Sequence, residues 1–535
     1  MKNIVKSMIV VIIGLLLSTT VISQTADKSD WKGGYPEGCT TITVGKEASA
    51  DGSVYTSHTD DSHRTRSWID IVPAQKHNKG KEIPMYKRVK NDSLAMPAYG
   101  HLEIGSIPQV KQTFGYINTA YPSLNDKQLG IGESTFGGRK ELQSDEGIID
   151  CQRICQLMLE RESTARGAIK TAGILLAKYG WNDYGEVLTI ADKNEVWHLE
   201  IVGPGKGKIG AVWVAQRVPD NHISVNANAS TIKEIDLKDK DHFMASDNVF
   251  DVAKQNGWWN PDEEEFRFCY AYAPNSRTSF ASRRREWRVF NLLAPSLKLN
   301  PNDENYPFSV QPDSLVTLED IINVFKDYYE GTPFDMTKSL TVTDKDGKTV
   351  ISPLASPHMP YDANKLHKIN GGWGPLGERT IARWYTMYAT IIQLRNWLPD
   401  EIGGVEWLAM DNVATSIYVP IYGCVSDLPQ PYKTPGRVNG YTLNSAWWIF
   451  NRLGTLASQR WGDMRYDVDS VWVPMQLNLI KSQKAVDQEA LELYHQNKKD
   501  AIEFLNSYSN EQGEKVMKEA IKLGDFLWTK YDEKF

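Results

Sequence analysis

The stretch from Gly38 to Asp61 constrains this chain more than any other. Gly38-Cys39-Thr40-Thr41-Ile42-Thr43-Val44-Gly45 alternates apolar and polar residues and reads as a β-strand. Asp51-Gly52-Ser53 supplies a turn, and Val54-Tyr55-Thr56-Ser57-His58-Thr59-Asp60-Asp61 reads as a second strand folded back beside the first. One cysteine heads this hairpin. If Cys39 becomes the first residue of a processed chain, its thiol and its new α-amine form one catalytic unit, and the remaining chain serves to position a substrate against it.

The amino terminus supports such processing. Lys2 and Lys6 precede or open an apolar stretch over residues 8–17, and small or polar residues follow to Ala26, the layout of a secretory signal peptide. That apolar core is too short for a comfortable membrane span, and no other stretch is long and apolar enough to cross a bilayer. A soluble, secreted or periplasmic protein is therefore expected, with residues 1–26 as signal and 27–38 as propeptide. Sixty basic against 67 acidic side chains, a formal net charge of −7, give no reason to expect a nucleic-acid partner. Five cysteines are an odd set for an exported chain, so at least one is free or pairs outside the chain. Cys151 and Cys155 share one helical face as small buried groups. Cys269 and Cys424 either bridge or are buried separately, which leaves Cys39 as the cysteine with a chemical neighbourhood.

Further along, strands and helices mix without repeats. Asn125-Asp126-Lys127 forms a turn into a strand at Leu129–Thr135, and two helices follow. The second starts after Ser163 as N-cap, carries Ala168, Ile169, Ala172, Leu175, Leu176 and Tyr179 on its apolar side, and stops at Gly180. Residues 186–191 and 195–201 form a hairpin with Trp197, Leu199 and Ile201 inward and His198 and Glu200 on a solvated side. Gly203-Pro204-Gly205-Lys206-Gly207-Lys208 lacks the glycine spacing of a phosphate loop and reads as a tight turn. Asn226 and Asn228 lie two apart on an extended segment, suited either to turn chemistry or to donation toward an oxyanion. Arg283-Arg284-Arg285-Glu286-Trp287-Arg288 reads as a solvated helix start, with the capacity to hold a carboxylate bidentately. A helix over 318–330 is ended by Gly331 and Pro333, and a loop-rich insertion covers about 300–370 with a hairpin at Asp346-Gly347. Residues 379–398 carry Ile381, Trp384, Tyr385, Tyr388 and Ile391 on one stripe and read as a long helix stopped by Pro399. Strands at 405–410 and 416–421 precede a charged, peripheral helical end over 446–460 and 485–535.

Five motifs in this order bring a resemblance. They are Cys39-Thr40-Thr41 with Val44-Gly45-Lys46 and Asp51-Gly52-Ser53; Gly132-Glu133-Ser134-Thr135-Phe136; Ala191-Asp192 with Glu195-Val196-Trp197; Val218-Pro219-Asp220 with Ala227-Asn228; and Tyr329-Glu330-Gly331-Thr332-Pro333-Phe334-Asp335. Together they resemble the PepD-like dipeptidases, cysteine-nucleophile members of the N-terminal-nucleophile (Ntn) hydrolases, related to penicillin V acylase and bile-salt hydrolase. The resemblance implies an α+β fold, the αββα four-layer sandwich, as a catalytic domain over 39–480 with a helical C-terminal extension over 481–535. It implies Cys39 as nucleophile with its α-amine as base, Asp61 near that amine, Asn228 as oxyanion donor, and Arg285 or Arg288 as the later arginine. Where family members carry an arginine shortly before the acid, this chain carries His58, neutral where Arg would be charged. His58, Asn125 and Arg288 are the substrate-binding candidates.

The expected activity is hydrolysis of dipeptides through an acyl-Cys39 intermediate, without metal or cofactor and with a homo-oligomer left open. A metallodipeptidase using His58 and Asp60 with Glu263 or Glu264 as base lacks a His-Glu-x-x-His motif. An Ntn acylase of non-peptide amides, and an exported peptide- or glycan-binding protein with no enzymatic activity, are the other readings.

Overall fold

The computed structural model describes residues 37–91, 96, 98–357 and 378–534. The expected signal peptide, the propeptide before Glu37 and the part of the insertion over 358–370 lie outside them. The opening hairpin forms as read: Gly38–Val44 pairs antiparallel with Val54–Asp61, with Cys39 opposite Asp60 and Gly38 opposite Asp61. Every residue of both strands is buried, so this hairpin is covered on both faces.

It sits inside a seven-stranded antiparallel sheet ordered Ser309–Val310, Ile223–Asn226, Gly38–Val44, Val54–Asp61, Thr386–Leu394, Gly404–Met410 and Val419–Tyr422. A second sheet of eight strands has Gly130–Phe136, Gly185–Ala191, Val196–Val202 and Val212–Val218 at its centre. The sheets stack face to face through small side chains. Thr56 Oγ1 and Thr189 Oγ1 lie 2.7 Å apart, and Thr43 Oγ1 lies 3.0 Å from His198 Nε2. Gly132 is the tightest point, where any Cβ would overlap the Ser57 carbonyl oxygen and the Thr189 hydroxyl. Helices Cys151–Arg161 and Ala165–Tyr179 pack on the second sheet; Phe280–Leu293 and the C-terminal helices pack on the first.

Five expectations are corrected. His198 and Glu200 are fully buried, because the face of their hairpin opposite Trp197 is covered by the first sheet. Glu200 there accepts N–H bonds from Thr231 at 2.6 Å and Ile232 at 3.0 Å. Residues 386–394 form a strand, not a helix: Thr390, Ile391 and Ile392 are β-branched, and with neighbours on both edges and both faces covered their apolar run has no need to alternate. The Leu318–Lys326 helix, opened by a Thr317/Asp320 capping box, ends before Asp327, whose backbone is extended and whose carboxylate is held by Arg288. The arginine-rich helix is not solvated; Arg283, Arg284, Arg285 and Arg288 are all buried. Finally, the C-terminal helices Trp461–Gln496 and Lys498–Lys530 are more than periphery. Trp472 is fully buried and donates to the Thr415 carbonyl at 2.9 Å, and Gln476 bonds both the N–H and the carbonyl of Tyr418.

At smaller scale, Thr164 rather than Ser163 caps the Ala165–Tyr179 helix, and Gly180 ends it with φ of 73°. Cys269 and Cys424 are free thiols, as are the other three cysteines. No helix of the described residues is long and apolar enough to cross a membrane.

Glu406 makes the burial of charge testable. It lies fully buried in the first sheet, with Ser123 Oγ donating to one oxygen at 2.5 Å and the other oxygen without a partner among the described residues. Burial pushes its carboxyl up to about 8. As pH rises from the ordinary carboxylate value of about 4.3, the unfolded chain releases a proton that the folded chain keeps, so stability falls through the folded value. Glu406→Gln lacks this loss, and its melting temperature relative to the wild type is expected to climb between pH 5 and pH 8 by scanning calorimetry. An offset independent of pH would contradict the assignment.

Candidate active site

Cys39 brings its two reactive atoms to opposite partners. Its thiol donates to Glu133 Oε2 at 3.1 Å, across the interface between the sheets. Its backbone N–H donates to Asn228 Oδ1 at 2.9 Å. Asn228 follows the Ile223–Asn226 strand and has φ of 59°, a left-handed conformation that Asn tolerates better than most residues. This bend turns the side chain back onto Cys39. The amide orientation is dictated by its neighbours: Cys39 N–H and Arg285 Nη2, the latter at 2.9 Å, are both donors, so the oxygen must face them. Nδ2 donates instead to the Thr135 carbonyl at 2.7 Å.

Arg285 completes this side. Its Nη1 donates to the Cys39 carbonyl at 2.6 Å and to Thr40 Oγ1 at 3.0 Å, and its Nη2 also reaches the Ala227 carbonyl at 3.0 Å. Burial, then the nearby Arg379 charge, lowers this guanidinium to about 9. Of the two arginines left open by the sequence, the structure brings Arg285 to Cys39. Arg288, one turn along the helix, is bound to Asp327 at 2.6 and 2.9 Å and to Asn291.

Asp61 lies opposite Gly38 and forms a buried ion pair with Arg379, with Thr386 Oγ1 donating to its other oxygen at 2.6 Å. Burial alone would weaken Arg379, but the charge and hydrogen bond of Asp61 together with Tyr385 and Tyr329 more than offset it, so the guanidinium is raised above its ordinary value. Tyr329, itself at φ of 67°, donates its hydroxyl to the Arg379 carbonyl at 2.6 Å. This connects the Tyr329-Glu330-Gly331 motif to the site. A Cβ at residue 38 would meet Asn228 Oδ1 at 2.6 Å and Arg379 Nη2 at 3.0 Å, so the junction before Cys39 has room only for glycine.

His58 and Asn125 hold parts in place. His58 is buried against Tyr121 and Tyr388, and its Nδ1 lies 2.7 Å from the Glu133 carbonyl, so that nitrogen carries the proton. Burial lowers its pKa and keeps the ring neutral. Asn125 is not brought to Cys39. Its Nδ2 donates to the Leu159 and Glu162 carbonyls at 2.8 Å, and its Oδ1 accepts from the N–H groups of Lys127 and Leu129.

Glu133 and Arg379 escaped the sequence reading as site residues. Glu133 was visible only as part of a motif, and Arg379 fell in a segment read as helix. Behind Glu133 lies a second buried carboxylate: Thr135 Oγ1 is 2.8 Å from Glu133 Oε1 and 2.9 Å from Glu186 Oε1. One hydroxyl proton cannot serve both. Burial, followed by the Glu133 charge, pushes Glu186 well up, so Glu186 holds a proton, donates to Thr135, and Thr135 donates to Glu133. The thiol of Cys39 is likewise raised, by burial first and then by Glu133, Asp60 and Asp61. Two groups of side chains bring ligand atoms within 4.8 Å of one another, Cys39 with His58 and Glu133, and Glu133 with Cys151 and Glu186. Either set has donors a soft divalent cation accepts, although His58 could use Nδ1 only by giving up its bond to the Glu133 carbonyl.

A thiol, a carboxylate and an oriented amide gathered where two antiparallel sheets meet can carry out acyl transfer at a carbonyl. Residues 38–473 match Peptidase family C69, and the chain belongs to that family. The match begins at the glycine that precedes Cys39. Relatives include a probable dipeptidase of Latilactobacillus sakei, 26% identical over 88% of this chain and 91% of its own length. Dipeptidase A of Lactobacillus helveticus is 24% identical over 80% and 83%, and a probable dipeptidase of Salmonella dublin is 26% identical over 72% and 80%. The resemblance drawn from the five motifs is thereby shown.

Substitutions at Asp61, Arg379 and Glu186 probe the arrangement. Asp61→Asn leaves the Arg379 charge buried without its partner and is expected to cost about 3–5 kcal/mol in urea unfolding, part of which Arg379→Met in the same chain restores. Glu186→Gln still donates to Thr135 and is expected to keep most activity. Glu186→Leu removes that donor and is expected to lower kcat by about tenfold or more, given a typical hydrogen-bond contribution of about 1 kcal/mol or above for charged partners. Equal kinetics for the two variants would contradict the proton order.

Proposed function

We propose that this chain is an exported dipeptidase that acts through Cys39 as an N-terminal nucleophile. The observation that carries this reading is the grip on Cys39 from both ends: Glu133 on the thiol, Asn228 and Arg285 on the backbone. The printed names of the relatives support the substrate class. Two stacked antiparallel sheets with helices packed on them support reading the fold as the four-layer αββα sandwich of Ntn hydrolases.

Processing and turnover use the same atoms. While Gly38 is attached, the Cys39 nitrogen is an amide and has no lone pair for a proton, so Glu133 is the base within reach of the thiol. The sulfur attacks the Gly38 carbonyl, the Gly38–Cys39 bond breaks, and the proton passes to the departing nitrogen. Water then hydrolyses the thioester and releases the segment ending at Gly38. The freed α-amine has an ordinary pKa of about 7.7–8.0 and is neutral often enough to act as base. Asn228 Oδ1 orients it, and Arg285 fixes the carbonyl of the same residue.

In the catalytic cycle the amine takes the thiol proton as sulfur attacks the dipeptide carbonyl. It returns the proton to the leaving amino acid, then activates the water that releases the acyl residue. The raised thiol of the unprocessed chain fits this order, since before cleavage its base is Glu133 and the α-amine that serves turnover appears only afterwards.

Intact mass and amino-terminal sequencing of the exported protein test the reading, alongside dipeptide turnover. The wild type is expected to begin at Cys39 and to hydrolyse dipeptides, whereas Cys39→Ala keeps the upstream residues and is inactive. Glu133→Gln is expected to slow processing by about 10²-fold, the scale of losing a positioned base. A fully active wild-type chain that retains Gly38 would sink the mechanism, and turnover of acyl-amides in place of dipeptides would replace the substrate class.

A further inference from the structure

A cavity of about 530 Å³, joined through Thr65 in its wall to the strand that pairs with Cys39, is unused by the chemistry above. Its walls include Arg64, Arg66 and Arg153 together with Trp68, Tyr86 and Tyr99, and among the described residues no aspartate or glutamate lines it. A cavity whose described charged walls are arginines is a departure in a chain whose net charge is −7. Arg66 is occupied by Asp70 at 2.5 Å and by the Trp68 carbonyl. Arg153 lies over the Tyr86 ring, and its Nε is buried without a partner among the described residues.

The chain itself places a carboxylate at the cavity's edge. Ser62 Oγ and Tyr99 OH, a cavity wall, each donate to Glu37 at 3.1 Å. Ser62 Oγ in turn accepts the N–H groups of Arg64 at 3.1 Å and Thr65 at 3.2 Å, which leaves its own proton for an acceptor such as a carboxylate. The Thr65 hydroxyl, also in the wall, donates at 2.6 Å to Asp60, the cross-strand partner of Cys39. The cavity is therefore tied to the strand that faces the nucleophile. Glu37 precedes Gly38, on the acyl side of the bond that processing breaks.

We propose that this cavity is a subsite for a carboxylate of the peptide substrate. Glu37 occupies its edge before processing, and afterwards an acidic side chain on the acylating, first residue of a dipeptide enters it. This assignment rests on the reading of the chain as a dipeptidase acylated at Cys39. Guanidinium groups recognise carboxylates through paired, charge-assisted bonds, and aromatic walls that exclude water strengthen them. The same cationic walls disfavour a substrate with a basic first residue.

Steady-state kinetics of the processed enzyme on Glu-Ala, Ala-Ala, Ala-Glu, Lys-Ala and the amides of these dipeptides test the proposal, in the wild type, Arg153→Met and Tyr99→Phe. The wild type is expected to prefer Glu-Ala over Ala-Ala by about tenfold or more in kcat/KM, mainly through KM, the scale of one charge-assisted pair. Arg153→Met is expected to erase that preference while leaving Ala-Ala turnover within about twofold, and Tyr99→Phe to weaken it, since each lost hydrogen bond to a charge is worth up to about tenfold. An Arg153→Met defect that follows the free C-terminus and vanishes with the amides keeps the carboxylate subsite and makes the C-terminal carboxylate its ligand. Equal losses on every substrate, or no loss on any, overturn the proposal. If the wild type cleaves no dipeptide, the dipeptidase reading fails separately. Calorimetric binding of Glu-Ala that Arg153→Met abolishes would still support the subsite, and binding that Arg153→Met leaves intact would overturn it.

Discussion

The close stacking of two antiparallel sheets is the constraint on which the site depends. At Gly132 the second sheet comes so near the first that no side chain fits between it and the Ser57 carbonyl. Threonines line the same seam, and their hydroxyls bond across it at Thr56–Thr189 and toward His198 at Thr43. Larger apolar side chains would hold the sheets at their ordinary spacing of about 10 Å. Because this seam is thin and polar, the next residue of the second sheet, Glu133, reaches the thiol of Cys39.

Burial at this seam sets the electrostatics. Cys39, Asp60, Glu133 and Glu186 lie buried in or beside it, and the protein answers with shared protons and paired charges instead of free carboxylates. Thr135 passes a proton between Glu186 and Glu133; Arg379 neutralises Asp61; neutral His58 holds the Glu133 carbonyl. Arg285 has no carboxylate partner among the described residues and spends its donors on the Cys39 and Ala227 carbonyls and the Asn228 amide. Cys39 is thereby held in a fixed place, with its thiol raised by burial and then by Glu133, Asp60 and Asp61.

Much of the scaffold was legible in local pattern. The Cys39 hairpin, the Cys151 and Ala165 helices and the hairpin at Glu186–Ile201 follow from periodicity and capping residues. Where two covered faces meet, the pattern misleads. The Thr386–Leu394 strand is buried throughout and mostly apolar, so its residues satisfy a helical stripe as easily as a strand, and the arginines of Phe280–Leu293 look solvated until their carbonyl and carboxylate partners from distant loops are in place. Asn228 was read as an oxyanion donor on an extended segment, whereas its backbone is left-handed, its Oδ1 faces the Cys39 N–H and its Nδ2 is taken by the Thr135 carbonyl. Glu133 and Arg379 carried no comparable local mark.

By itself the sequence determined the family, through ordered motifs that residues 38–473 share with Peptidase family C69, and it singled out Cys39, a cysteine after glycine at the head of a strand, as the candidate reactive group. Local propensity and residue chemistry are sufficient for that. Only the tertiary structure decided which side chains surround the cysteine, since Glu133, Asn228, Arg285 and Arg379 lie between 94 and 340 residues beyond it in the chain. They converge because strand pairing and sheet stacking bring together segments whose separation in sequence holds no record of their contact.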